Sequence, residues 1–332
     1  MESASLSVRL AIGLALAMAI SSVSAAGEPL LEPVATIEMP GVKGRIDHLA
    51  VDVSGRKLYV AALGNNTVEV LDTAQNRHVK SLPGFGEPQG LAYVRGTETL
   101  FVGNGSAGRV DIVDTKALLP VHKIDKLDDA DNVRYDATRE KIIVGYGTGA
   151  LRTLDAKTGG SQGDVSLAGH PESFQLEQGG TRIFVNIPTA GHIAVVDTAK
   201  AKVGATWKVS ARANFPMALD AKSRRLFVGA RSPAMLLVHD MDSGKEVAKL
   251  NIGGDTDDLF FDTERKRIYV ICGEGRVDLF RQDDADHYAS IGSIKTAARA
   301  RTGLFVPEDG KLYVAAPAVD GAPARILVYQ AR

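Results

Sequence analysis

An all-β, seven-bladed β-propeller is predicted by three features of this 332-residue sequence. First, an apolar phrase closing on Val returns seven times, at Leu58-Tyr59-Val60, Leu100-Phe101-Val102, Ile142-Ile143-Val144, Ile183-Phe184-Val185, Leu226-Phe227-Val228, Ile268-Tyr269-Val270 and Leu312-Tyr313-Val314. The spacings are 42, 42, 41, 43, 42 and 44 residues. A fixed period of about 40–45 residues filled with short strands is the mark of a propeller blade. Second, turn formers divide each repeat into four antiparallel strands. Third, the two ends of the chain complement each other: the last repeat stops after its third strand, and a lone strand-like segment precedes the first.

Taken in order, residues 1–26 stand apart from the repeats. Arg9 precedes an apolar run over 10–20, and the stretch ends Val23-Ser24-Ala25-Ala26. A short apolar core followed by small residues reads as a secretory signal peptide, with cleavage after Ala25 or Ala26. The run is too short for a membrane span of about 20 residues. The mature chain, 27–332, is expected to be one soluble propeller domain, periplasmic or secreted, with no membrane span. Residues 34–38 come next and are expected to supply the outer strand of the last blade. That would close the ring and cover an open sheet edge.

The first repeat shows the plan. Residues 49–51 form the inner strand, 57–63 the second, 67–71 the third and 79–82 the outer one. Ser54-Gly55, Gly64-Asn65-Asn66 and Asp72-Thr73 make the reversals. One such sheet cannot bury both faces, whereas seven around an axis cover one another. Cys272, the only cysteine, ends a second strand. It is expected to be a small buried hydrophobe in a chain without an internal disulfide. The formal charge of −1, with no basic run, gives no strong nucleic-acid signature.

The repeat also separates structure from function. A residue type that recurs at one position in most blades serves the blade. Asp72, Asp114, Asp155, Asp197 and Asp240 all follow a third strand and are expected to fix turns through backbone amides. Acids closing the first strand (Asp52, Asp136, Glu177, Asp220, Asp262) are expected to face the bases opening the second (Lys57, Lys141, Arg182, Arg225, Arg267), a base that recurs as Lys311 in the last blade.

By contrast, the two positions entering each inner strand change chemistry from blade to blade. They read Asp47-His48, Gln89-Gly90, Asp131-Asn132, Glu172-Ser173, Phe215-Pro216, Asp257-Asp258 and Arg301-Thr302. In a propeller they ring the mouth of the central channel. The predicted binding set is Arg45, Asp47, His48, Asp131, Asn132, His170, Glu172, Arg231, Asp257, Asp258 and Arg301. Converging acids repel unless cations, arginines or raised pKa values relieve them. Three readings compete: a solvated polar rim balanced by Arg45, Arg299 and Arg301; a divalent cation, calcium or similar, with ligands from Glu172, Asn132, Asp257, Asp47 and His48; and a general acid/base site using His48 or His170. Arg134 and Gln175 are polar where the other inner strands carry Ala, Phe or Leu, and are expected to face the channel. His78, His122, His239 and His287 are placed on outer strands or blade edges. No G-x-S-x-G elbow, H-E-x-x-H, C-x-x-C-H or phosphate loop is present.

Lys57-Leu58-Tyr59-Val60-Ala61, Thr67-Val68-Glu69-Val70-Leu71-Asp72-Thr73 and Lys311-Leu312-Tyr313-Val314-Ala315 resemble the YVTN family of β-propeller repeats, which includes the YncE-like exported proteins. Ile46-Asp47-His48-Leu49-Ala50-Val51-Asp52 and Ala285-Asp286-His287-Tyr288 look like a bacterial subgroup of it. The resemblance spans nearly the whole mature chain and implies fold and export. It leaves activity open, since some members are reported to bind partners or DNA rather than to catalyse. The entry proline common in the family stands at Pro88, Pro171 and Pro216 but not in the other four blades. By analogy, the six-bladed gluconolactonase-type propellers hold a channel cation with Glu, Asn and Asp, roles open here to Glu172, Asn132 and Asp257. The leading expectation is therefore a non-catalytic binding or scaffold protein, whose partner is a small molecule or periplasmic protein. The alternative is a metal-dependent, lactonase-like hydrolase or lyase. A third reading is an accessory partner of a periplasmic redox enzyme.

Overall fold

The computed structural model describes Met1 and residues 29–177 and 179–332. The signal peptide expected over 1–26 falls, Met1 aside, outside the described residues. The chain forms seven four-stranded antiparallel sheets. In the first blade the strands are Leu49–Asp52, Lys57–Ala62, Thr67–Asp72 and Arg77–Pro83, hydrogen-bonded in chain order. Five more blades repeat this order. The seventh takes Thr302–Val306, Lys311–Ala316 and Arg325–Ala331 from the C-terminal end and its outer strand, Leu31–Glu38, from the N-terminal end. Leu31 lies opposite Ala331 and Glu38 opposite Arg325, with an irregularity between Pro33 and Ala35. Closure is as the sequence predicts, with a strand three residues longer at its start.

The recurring apolar phrase has a packing cause. Each occurrence is a second strand, covered on both faces by neighbouring blades. Val60, Val102, Val144, Val185, Val228, Val270 and Val314 are all fully buried. Successive side chains point to opposite faces. Leu58 and Val60 pack with Ile37 and Ile326 in the core between blades seven and one. Tyr59 packs with Leu91 and Val102 in the core between blades one and two. Seven such cores occupy the seven blade interfaces. Outer strands are mostly exposed, as in Leu119–Asp125.

The turn acids behave as predicted: Asp72 Oδ1 accepts the Ala74 and Gln75 amides, and Asp114 Oδ1 those of Lys116 and Ala117. The acids closing the first strand differ from expectation. Asp136, Asp220 and Asp262 also accept two backbone amides each. Among the five acid–base pairs expected there, only Glu177–Arg182 forms an ion pair among the described residues. Lys141 and Arg225 reach instead to Asp155 and Asp240 at the end of the third strand. A carboxylate serving its own turn is fixed locally, so the base finds the acid across the neighbouring strand. His239 is also corrected. It lies in the third strand Ala234–Asp240, not at an edge, and is fully buried.

Candidate functional site

Identical backbone contacts set the height of the entry residues. In blade one the Asp47 amide donates to Ala61 O and the Ala61 amide to His48 O. Blade three repeats this with Asp131, Gly145 and Asn132, and blade four with Glu172, Asn186 and Ser173. The entry side chains are thereby raised at one end of the axis.

The charges there fall into three groups. In the first, Asp47 is almost wholly buried; its Oδ2 accepts from Arg45 Nη2 at 2.7 Å, and its Oδ1 lies 3.7 Å from His48 Nε2. His48 Nδ1 is 3.4 Å from Asp258 Oδ2, which also accepts the Gly303 amide at 2.9 Å. Burial works against the imidazolium, but Asp258 and Asp47 outweigh it and lift its pKa to about 10. In the second, Asp257 is clamped by Arg231 at 2.6 Å and Arg301 at 3.0 Å, and the Arg231 guanidinium stacks 3.8 Å from the Phe215 ring centre. Burial nonetheless pushes Asp257 up to about 6.

In the third group, Asp131, His170 and Glu172 bring three donor atoms within 4.8 Å of one another. His170 Nδ1 lies 2.6 Å from Gly147 O, and Nε2 lies 3.6 Å from Asp131 Oδ2. Burial opposes a charge on His170, yet Asp131 and the Gly147 carbonyl raise its pKa to about 9. Glu172 has no arginine partner among the described residues; burial, then Asp131 and Asp257, push it up to about 8. Asn132, beside Asp131, is buried with Oδ1 unpartnered.

Every residue of the predicted binding set thus lies at this end, but the grouping differs from the cation set read from sequence. Asp257 is held by two arginines, and Asp47 pairs with Arg45, and His48 with Asp258, within one buried network. Of that set Glu172 joins the compact trio, with Asp131 and His170 in place of the others. Arg299 is exposed and forms no ion pair among the described residues; Arg231 takes its place as counter-charge. Sequence reasoning missed Asp255, which pairs with Arg301 at 3.0 Å, and Asp129, 3.5 Å from His170. Each stands two residues before a predicted acid, and that proximity was the available signal. Asn104, which ends the strand Thr99–Asn104 on the same side of blade two, is structural: its Nδ2 donates to Val102 O and Asp111 Oδ2.

No family model matches the chain, and no curated protein matches it in sequence. Solved structures do match. A chain of the mitotic checkpoint complex aligns with a TM-score of 0.77 over 98% of this chain and 98% of its own, at 15% identity. A chain of the Kuenenia stuttgartiensis hydrazine synthase aligns at 0.74 over 87% of this chain and 98% of its own, at 14% identity. At such identity the likeness is one of fold, and it supports the propeller architecture alone.

Proposed function

We propose that the protein is an exported binding protein of the YVTN-repeat, YncE-like type, periplasmic or secreted, and that the channel mouth is its ligand- or partner-binding face. The leader-like residues 1–26 support export, and the repeat phrases support the family. The observation that carries the binding reading is the Asp131–His170–Glu172 trio, held on adjacent blades within 4.8 Å. A ligating histidine characteristically donates its second ring N–H to a carbonyl or carboxylate. His170 is set up this way, with Nδ1 on Gly147 O and Nε2 toward Asp131. An imidazole with two carboxylates suits zinc or manganese better than calcium, which takes oxygen ligands. Three protein donors leave coordination positions for an oxygen of the ligand.

The same open coordination supports a second reading, a metal-dependent hydrolase or lyase acting on a small lactone, ester or sugar-like substrate. Elemental analysis of the purified mature chain, with melting curves before and after chelation, tests the cation. One equivalent of metal, lost in Asp131→Asn and Glu172→Gln, is expected; absence of metal with no melting shift on adding zinc or manganese would sink it. Turnover of lactones or esters abolished by chelation would favour the hydrolase over the binding protein.

A further inference from the structure

Below the mouth, seven equivalent inner-strand positions form one ring. Ala50, Ala92, Arg134, Gln175, Ala218, Phe260 and Leu304 each lie opposite the middle residue of the recurring apolar phrase. Five of the seven are apolar, and the two exceptions are neighbours on blades three and four. All but Ala218 line a channel cavity of about 270 Å³, whose walls include Leu91, Tyr93 and Tyr135. Ala50 and Ala92 leave the space into which a longer side chain would otherwise reach.

Arg134 has little to do in the folded chain. Its one hydrogen bond among the described residues runs from Nη1 to its own neighbour, Val133 O, at 3.2 Å. No carboxylate pairs with it among the described residues, and its guanidinium lies 5.8 Å from the centre of the Phe174 ring. A guanidinium does not shed its proton in proteins, so the charge stays and its donor fork is unused. Burial disfavours that charge, and Asp258 and Asp131 offset the cost only in part. Gln175 donates Nε2 to Met217 O at 2.7 Å, which fixes the amide, and its Oε1 accepts from no group among the described residues.

We propose that this cavity is a binding site for a small organic monoanion, with a carboxylate on Arg134 and an apolar or aromatic body against Phe260, Leu304 and Tyr93. The guanidinium fork matches a planar carboxylate, and such charge-assisted pairs are the strong ones. The volume lies just below the usual range of small-molecule sites, which begins at about 300 Å³, and sets a compact ligand. Asp258 in the same cavity is balanced by His48, so one negative charge is accepted and a second is not. A second cavity of about 430 Å³, lined also by Asp220 and the exposed Lys222, shares Gln175 and Phe260 with the first.

Calorimetric titration of the mature chain with benzoate and hexanoate tests this, with benzamide and benzylamine as neutral and cationic controls. One saturable site for a carboxylate is expected, weakened about tenfold or more by Arg134→Gln and retained in Glu172→Gln at the mouth. Ala92→Leu, which fills the ring without touching charge, is expected to abolish binding. Should Arg134→Gln not fold, benzoate binding by the unaltered chain at least tenfold tighter than benzamide carries the same information. Equal affinity for benzoate and benzamide, unchanged binding in a folded Arg134→Gln, or no saturation by either acid would overturn the proposal. Loss of metal binding in Glu172→Gln with carboxylate binding intact would separate this site from the mouth.

Discussion

His48 is the residue on which the mouth's electrostatics turn. Its ring lies between Asp47 and Asp258, and its charge, with that of Arg45 on Asp47, offsets the two buried carboxylates. Its folded-state pKa, about 10, lies above the ordinary 6.5. The folded protein therefore binds the extra proton between these values, and stability from this group falls as pH rises through that window. It is fully present below about pH 6.5 and lost toward pH 10. Urea unfolding of His48→Gln should show a loss of about 3–5 kcal/mol at pH 6, the cost of breaking a buried pair. The gap to the parent should narrow steadily up to pH 10; a gap independent of pH would show that His48 is not charged in the folded state.

At the scale of elements, the strand Leu31–Glu38 matters most, because it joins the two ends of the chain. It covers the edge of Arg325–Ala331 and places Leu31 and Ile37, both fully buried, in separate cores on the two faces of blade seven. Ile37→Ala should cost about 2–5 kcal/mol, in line with large-to-small changes in a core. Removal of residues 29–38 should go further and expose an unpaired strand edge, so concentration-dependent association is expected in sedimentation experiments. A monomeric, normally melting truncation would mean that the ring tolerates an open blade.

For the whole molecule, seven interface cores make each blade depend on its neighbours, and Cys272 offers a reporter of that coupling. The thiol is fully buried, and burial, with Asp278 nearby, pushes its pKa up to about 12. Thiolate is the reactive form, so the native thiol should be inert to a disulfide reagent. Labelling should track global unfolding across a urea series, since the blade-five and blade-six interface must open first. Labelling well ahead of the spectroscopic transition would reveal opening of that interface alone.

The propeller and its blade count were legible in the sequence because they rest on short-range patterns repeated around the ring, and closure by an N-terminal strand was legible as the one break in that repetition. Period, apolar phrase and turn acid all recur, and repetition turns weak local signals into a strong one. The same comparison among repeats picked out the mouth residues and the odd pair Arg134 and Gln175, since each breaks the pattern of its ring. Pairing was not legible. Whether Asp257 meets Arg231 and Arg301, or Asp131 meets His170, depends on distances between blades, with partners some 26 to 44 residues apart in sequence. Side-chain reach and competition for partners decide that, and both exist only once the ring is closed. Sequence alone therefore determined the architecture and the list of polar groups at its axis. The tertiary structure decided which of them pair with one another and which, like Glu172 and Arg134, find no ion-pair partner among the described residues.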